Sequence, residues 1–210
     1  MVKATRGRPS DPRKDRAILA AGRTLLFQRG PQSVTMEAVA RHAGVSKPTL
    51  YRRYANRDEL LAAIALNESE AMAGRFRVAP DSAADLRRAL TEFGCDLMHF
   101  MVSREHVRFI HTLGASTGLA QASRNSIFRN GPLATRDRVA EWLRRARERG
   151  LLRVADPVDS AERLLGMLMG LDLVRMLYRV EPADDPGRLN ARVQSIVDDF
   201  LAQHGAASGA

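Results

Sequence analysis

Polar and basic side chains are concentrated in one short stretch of this 210-residue chain, "SKPTLYRRY" from Ser46 to Tyr54. Hydroxyl and ammonium groups can reach the edges of bases, and an arginine can bind a guanine through two hydrogen bonds or neutralise a phosphate. The side chains of this kind are Lys47, Thr49, Tyr51, Arg52 and Arg53. Their chemistry favours binding to nucleic acid. A solvated helix face with an incidental charge pair is the alternative interpretation.

The local sequence predicts a helix that turns these side chains outward. Ser46 can cap its N-terminus, and Pro48 falls in the first turn, where a missing N–H breaks no hydrogen bond. Leu50 and Tyr54 share the opposite face, with Val45 at the corner before the helix. One face is therefore suited to packing and the other to a polar partner.

Three more helices are predicted around this one. Apolar residues recurring at intervals of three and four indicate a first helix over 13–29, and Thr35 can cap a short second helix that ends near Gly44. "NRDE", Asn56 to Glu59, has the spacing of a capping box and opens a fourth helix that runs to about Ala73. A helix, a turn and a helix, braced by a preceding helix, is the plan of a helix-turn-helix DNA-binding domain.

The charge of the chain is unevenly distributed. Residues 1–57 hold 13 Lys and Arg against 3 Asp and Glu, whereas residues 58–210 hold 20 against 21, so the net charge of +9 comes from the first quarter. That quarter is also apolar enough to fold, and a folded module with such an excess favours a polyanionic partner. Nucleic acid is preferred to a membrane surface, because no helix has a strongly apolar face.

The segment "TMEAVARHAGVSKPTLYRRYANRDELLAA", Thr35 to Ala63, resembles the DNA-binding segment of TetR/AcrR-type transcriptional regulators. The resemblance covers about residues 13–64, and over the rest of the chain it is one of architecture only. The residues that match the pattern of the family are Ala40, Gly44, Val45, Ser46, Thr49, Leu50, Tyr51, Tyr54 and Leu60.

The resemblance implies roles for particular residues. Candidates to hold the phosphate backbone are Thr35, Lys47, Tyr51, Arg53 and Arg57. Candidates to lie against bases are Lys47, Pro48, Thr49 and Arg52, and the cap residue Ser46 belongs to the same DNA-binding set. Arg41 is a weaker candidate. The chain departs from the family at Arg53, where His is more common, and at Arg52, where an aromatic residue is often found, which implies a stronger electrostatic grip.

A basic arm of residues 1–12 precedes the first helix. Its "RGRP", Arg6 to Pro9, resembles arms that enter an A·T-rich minor groove, where the narrow groove attracts arginine. Arg6 and Arg8 are the candidate contacts. A plain disordered tail explains the same residues equally well.

The fold class predicted from the sequence is all-α: a three-helix DNA-binding domain over 13–58, joined by the fourth helix to a larger helical domain over 59–204. Helices are expected over 82–102, 104–113 and 119–129, then, after a break at "NGP" (Asn130–Pro132), to about 149. A long helix over 157–179 and a last one over about 187–203 follow, and residues 205–210 are expected to be a mobile tail.

The resemblance implies that the larger domain binds a small-molecule effector and forms a homodimer. The helix over 157–179 is apolar on more than one face, so it and the last helix are the candidate dimer interface. A place in the core or on the surface is the alternative for any single residue of the candidate effector pocket. The pocket candidates are Met98, His99, Met101, Phe109, Trp142 and Met167.

Other classes of function find little support in the sequence. It has no phosphate-binding loop, nucleophile elbow or cysteine pair, its histidines do not have the i, i+4 spacing of metal ligands, and no cofactor is expected. No signal peptide or membrane span is predicted, which indicates a soluble cytoplasmic protein. The resemblance implies a transcriptional regulator, a repressor that binds a palindromic operator and is released by an effector. The alternatives are an architectural protein that binds any DNA and a helical enzyme or carrier.

Overall fold

The computed structural model describes residues 11–115, 119–180 and 185–205, and these contain eleven α-helices and no strand. This confirms the all-α prediction. The helices are α1 Pro12–Arg29, α2 Met36–His42, α3 Lys47–Tyr51, α4 Arg57–Met72, α5 Ala83–Met101, α6 Arg104–Ala115, α7 Gln121–Phe128, α8 Ala134–Glu148, α9 Pro157–Met169, α10 Asp172–Tyr178 and α11 Pro186–His204. One isolated antiparallel bridge joins Leu152 to Gly205, the first residue of the expected tail, and residues 206–210 lie outside the described residues.

The short helices near the N-terminus begin where side chains cap them. Thr35 Oγ1 accepts a hydrogen bond from the backbone N–H of Ala38, at 3.1 Å, and starts α2. Asn56 Oδ1 accepts one from the N–H of Glu59, at 2.9 Å, and starts α4. Each cap satisfies a donor that the first turn of a helix leaves unpaired, so these residues fix where the helices begin.

The turn after α1 requires a glycine. Gly30 has φ +81°, a conformation that L-residues rarely adopt, and a Cβ at this position would lie 2.1 Å from Thr112 Cγ2 on α6. The close approach brings the end of α1 against α6, a helix of the larger domain.

Two hydrophobic clusters form the interior of the described part of the chain. The first joins α1, α2 and α3 to α4, whose Leu60, Leu61 and Ile64 are almost completely buried in it. Phe109 of α6 and Ile127 of α7 also belong to this cluster, so it extends beyond residue 58, the expected end of the DNA-binding domain. The second cluster lies within the larger domain and is built from α5, α8, α9 and α11 around the buried Trp142.

Two predictions for the helices of the larger domain differ from the structure. The "NGP" segment does not interrupt the helices: residues Arg129–Leu133 form a π-helical turn, with Pro132 inside it, that leads directly into α8. The predicted helix over 157–179 is instead two helices, because Gly170, at φ +44°, ends α9 before α10 begins. A π turn accommodates a residue that cannot donate the usual helical hydrogen bond, and the positive φ at Gly170 cannot continue a helix.

Candidate nucleic-acid interface

The α3 helix has two faces, as the sequence predicts. Leu50 is fully buried in the first cluster, while Val45 and Tyr54 are half-buried and pack against it. On the opposite side, Tyr51 is 51% exposed, an unusual exposure for a large aromatic side chain. We call the outward side the α3 surface: the exposed Ser46, Lys47, Pro48, Tyr51 and Arg52, with the half-buried Thr49.

A network of hydroxyl groups stabilises the start of α3. Ser46 Oγ accepts a hydrogen bond from the N–H of Thr49, at 3.3 Å, and the two hydroxyl oxygens lie 2.8 Å apart. Arg52 reaches back to Thr49 Oγ1 with a nitrogen at 3.5 Å. Thr49 and Arg52 therefore share one side of the helix, and both can present hydrogen-bonding groups to a partner.

Lys47 is paired with a carboxylate across the turn. Its ammonium donates to Glu37 of α2, and this hydrogen bond and charge hold the pKa of Glu37 below its usual value. Both side chains are well exposed, and an exposed ion pair contributes little to stability. Lys47 can consequently exchange Glu37 for a phosphate at little cost.

Arg53 makes its contacts inside the module. Its Nε donates to Asp15 of α1, and another of its nitrogens lies 3.3 Å from the backbone carbonyl of Asp11. The Arg53 side chain is only 13% exposed. It therefore ties α3 to α1, and it would have to leave these partners to reach a phosphate.

Arg57, another predicted phosphate ligand, is also engaged with the backbone. Its Nε donates to the carbonyl of Val34 at 2.8 Å, and a second nitrogen donates to the carbonyl of Pro31 at 2.6 Å. These bonds join the start of α4 to the turn between α1 and α2. No local sequence pattern indicates this role, because the partners are backbone groups more than 20 residues away.

Thr35 and the arm residues Arg6 and Arg8 are the remaining candidates for contacts with DNA. Thr35 is exposed, and its hydroxyl oxygen is occupied as the cap of α2 while its hydrogen remains able to donate. Arg6 and Arg8 lie outside the described residues.

The structure does not bring the six candidate pocket residues together. Met98 and Trp142 are buried in the second cluster, and Met101 packs against it, whereas Phe109 is buried in the first cluster. His99 and Met167 are exposed. Trp142 Nε1 donates to the carbonyl of Val78 at 2.8 Å, so its polar atom holds the segment between α4 and α5.

Two cavities are lined by other residues. The larger, of about 530 Å³, lies between the C-terminal part of α4, the turn Gly74–Arg77 and α8, and its charged residues are of both signs. The smaller, of about 280 Å³, lies between α6 and α10. Within the described ranges we find no group of three His, Cys, Asp or Glu that could hold a metal ion.

Apolar side chains are exposed along α9, α10 and the residues that follow. We call them the apolar surface: Val158, Met167, Leu171, Leu173, Val174, Leu177, Tyr178 and Val180. Contiguous apolar patches on a protein surface usually mark an interaction site. None of the helices in the described part of the chain is long and apolar enough to cross a bilayer.

Comparisons with protein-family models match most of the chain. A model described as "Bacterial regulatory proteins, tetR family" matches residues 18–64, and one described as "AefR-like transcriptional repressor, C-terminal domain" matches residues 88–206. The first match contains α2, α3 and the α3 surface, and the second begins in α5 and contains the apolar surface.

Two curated relatives are helix-turn-helix regulators of Bacillus subtilis. The chain is 31% identical to the uncharacterized HTH-type transcriptional regulator YdeS over 114 residues, which cover 54% of this chain and only 55% of that protein. It is 22% identical to the regulator YvkB over 200 residues, which cover 95% of each protein.

Solved structures share the fold. A TetR transcriptional regulator from Agrobacterium tumefaciens is 25% identical, with a TM-score of 0.72 over 94% of this chain and 97% of that one. A structure described as the flavonoid-responsive regulator FrrA is also 25% identical, with a TM-score of 0.66 over 94% of this chain and 100% of that one. The helix-turn-helix geometry, the two family models and these structures agree: the chain is a transcriptional regulator that belongs to the TetR family.

Proposed function

We propose that this regulator is a repressor that binds a palindromic DNA operator as a homodimer and leaves it when a small molecule binds the larger domain. The observation that carries the proposal is the α3 surface, in which a buried Leu50 anchors a helix whose outward side chains are hydroxyl, aromatic and cationic. Side chains of these types supply both base contacts and phosphate contacts in protein–DNA complexes.

The exposure of each side chain and the hydrogen bonds that it already makes indicate which part of the DNA it contacts. Thr49 and Arg52 can reach base edges, with Pro48 in van der Waals contact, while Lys47 and Tyr51 bind phosphates. Arg53 and Arg57 support the helix from within and contact DNA only if they exchange their present partners. Thr35, at the start of α2, donates to a phosphate on the flank of the groove.

The apolar surface supports a dimer. Leu177 and Tyr178 are 62% and 78% exposed in the single chain, and burying such side chains is favourable. A second copy of the chain offers the same surface, so α9 and α10 can pair with their symmetry mates in a two-fold contact, with α11 beside them. A two-fold dimer presents two α3 helices to two half-sites of a palindrome, about 34 to 36 Å apart when they are one helical turn apart.

Release by a ligand requires two conformations of the dimer. A ligand that prefers the dimer whose α3 helices do not match successive major grooves lowers DNA affinity by its differential affinity for the two states. The name of the similar flavonoid-responsive regulator supports a response of this kind in the present protein. The role would place the protein in the cytoplasm, with the chromosome.

Selection of DNA by the purified protein tests the proposal. Duplexes with a randomised centre are selected over several rounds, and the enriched sequence is then titrated against random competitor DNA. We expect an inverted repeat that is preferred by about a thousandfold or more. Enrichment without an inverted repeat would argue against a two-fold dimer on the operator.

A protein that binds any DNA in an architectural role is the second candidate. The net positive charge of residues 1–57 supports it as well, since non-specific affinity is almost wholly electrostatic. In the same titration it predicts equal affinity for selected and random duplexes, with a steep salt dependence for both.

A further inference from the structure

The cavity of about 280 Å³ between α6 and α10 has an unusual concentration of arginines. Arg104 lies at the start of α6, and Arg175 and Arg179 lie in and just after α10. His111 and Asp172 complete the charged and titratable lining. Apolar side chains of both helices, among them Val107 and Met176, form the rest of the wall. The cavity therefore combines cationic groups with an apolar surface.

Only part of the positive charge is balanced inside the protein. Asp172 is 4% exposed and is shared by two arginines: Arg175, at 2.8 Å, and Arg192 of α11. Arg104 and Arg179 are exposed, and neither guanidinium group has a hydrogen-bond or ion-pair partner among the described residues. Two guanidinium groups are thus available to an anion, each with several donors in a planar arrangement.

The backbone at Arg179 gives a second reason to assign a role to its side chain. Arg179 ends α10 at φ +58°, and it is the one residue other than glycine with a positive φ within the described part of the chain. Glycine usually occupies this position at the end of a helix, because it has no Cβ to strain. Arg179 nevertheless adopts this conformation, and it lines the cavity.

We propose that this cavity binds a small amphipathic organic anion and that the anion is the effector of the regulator. A carboxylate or phosphate group would be held by Arg104 and Arg179, with Arg175 behind them, and the apolar part would contact Val107 and Met176. Pockets for drug-sized ligands hold about 300 to 1,000 Å³, so a cavity of about 280 Å³ fits a smaller molecule.

The position of the cavity on α6 connects it to the DNA-binding module. Arg104, Val107 and His111 lie at helical spacing on the face of α6 that lines the cavity. A ring nitrogen of His111 donates to the carbonyl of Met176, at 2.5 Å, and so joins α6 to α10.

The same helix also packs against α1. The ring centroids of Phe109 and Phe27 are 5.1 Å apart, and Arg108 donates a hydrogen bond to the backbone carbonyl of Gln28 at 3.4 Å. A ligand that changes the spacing of α6 and α10 therefore acts on the helix that contacts α1. This effector role rests on the proposed function, whereas the anion site itself does not.

Binding is tested on the full chain without DNA. Hexanoate and hexyl phosphate are titrated by calorimetry, with hexanamide as the uncharged counterpart of hexanoate. We expect saturable binding of at least one anion, no binding of hexanamide, and affinity weaker by on the order of tenfold or more in the double variant Arg104→Gln, Arg179→Gln. The preferred anion identifies the headgroup. The matched control is Arg129→Gln, Arg153→Gln, which removes two exposed arginines outside the cavity.

Three results would overturn the anion site: no saturable binding of either anion, equal binding of hexanamide, or unchanged affinity in the double variant with circular dichroism showing it folded. The effector role is tested separately, by measuring the affinity of the protein for the selected duplex. The bound anion should weaken that affinity in the wild type and not in the double variant, and unchanged affinity in the wild type overturns the effector role. Failure to select any DNA would reject the proposed function and leave the calorimetric result intact.

Discussion

The α3 surface and the apolar surface are both uncovered in the single chain, but their chemistry is opposite. The first is made of Lys, Arg, Tyr and hydroxyl side chains, and the second of Leu, Val, Met and Tyr. The polar surface is stable in water, so it can gain and lose a partner at equilibrium. Exposure of the apolar surface to water is unfavourable, which favours a partner that remains bound.

The two regions also differ in what holds them in place. α3 has five residues, with one fully buried side chain, Leu50, and it depends on the Ser46 cap and on Arg53. The helices α9 and α10 are anchored by several buried side chains, including Leu164, Leu168 and Met176. Polar contacts thus position α3, whereas packing positions the apolar surface.

The largest effect is expected from placing a charge in the apolar surface. In the proposed dimer, Leu177→Asp would bury an unpaired carboxylate, which costs about 3 to 5 kcal/mol, or a hundredfold or more in the dimer dissociation constant. Sedimentation velocity over a range of concentrations measures it. Val78→Asp, at an exposed valine outside the apolar surface, is the control and should leave the dimer unchanged. A Leu177→Asp protein that remains as dimeric as the wild type would place the interface elsewhere.

The second prediction concerns Arg57, which supports the DNA-binding module from inside. Arg57→Ala removes two hydrogen bonds from a cation to the carbonyls of Val34 and Pro31, and we expect it to lower the free energy of unfolding by about 2 to 3 kcal/mol. Urea denaturation measures the change. Arg52→Ala, at a neighbouring exposed position, should change stability little. If Arg57→Ala kept full stability and lost only DNA affinity, its role would be that of a phosphate ligand.

The third prediction tests the junction between α1 of the DNA-binding module and α6 of the larger domain. There His106 of α6 is packed among Phe27, Phe100 and Phe109. Neither of its ring nitrogens has a hydrogen-bond partner among the residues described, and burial lowers its pKa from 6.5 to about 4. Protonation therefore favours the unfolded chain. The stability that neutral His106 contributes is complete above about pH 6.5 and is lost as the pH falls towards 4.

A substitution isolates this contribution. Between pH 7.5 and 5 the wild type should lose about 2 kcal/mol more stability than His106→Leu, which keeps a side chain of similar volume without the titrating group. Urea denaturation at the two pH values provides the comparison. His99→Gln, at an exposed histidine, should behave like the wild type. Parallel pH dependence of His106→Leu and wild type would mean that His106 is not the group responsible.

The smallest effect is expected from the basic arm. Deleting residues 1–10 removes Lys3, Arg6 and Arg8, and each lost phosphate contact should reduce the slope of log affinity against log salt by about 0.9. Fluorescence anisotropy at several salt concentrations measures the slope. An unchanged slope would mean that Arg6 and Arg8 make no contact in the minor groove.

The sequence predicted the DNA-binding module well because its signals are local. The caps Thr35, Ser46 and Asn56 and the buried Leu50 lie within a few residues of the features that they determine. Arg53 and Arg57 were harder to interpret, since a cation near a DNA-facing helix looks the same in sequence whether it binds a phosphate or a backbone carbonyl. Their partners on α1 and in the turn after it are 23 to 42 residues away.

The larger domain was predicted less completely because its details depend on tertiary packing. A proline is expected to interrupt a helix, but Pro132 lies in a π turn that continues into α8. The apolar pattern over 157–179 predicts one helix, but Gly170 ends α9 within it. Residue type alone suggests the six pocket candidates, and the structure separates them between two clusters and the surface. The arginine-lined cavity joins residues on α6 to others about 70 positions later, a distance at which periodicity gives no signal.

The most direct test of the account is the affinity of the selected duplex for variants of the α3 surface, measured by fluorescence anisotropy. Lys47→Ala and Tyr51→Ala should each weaken binding by about 1 to 3 kcal/mol, with the dimer and the free energy of unfolding nearly unchanged, because both side chains are exposed. Arg153→Ala, at an exposed arginine of the larger domain, should bind like the wild type. Wild-type affinity in both α3 variants would contradict the assignment of this surface to DNA.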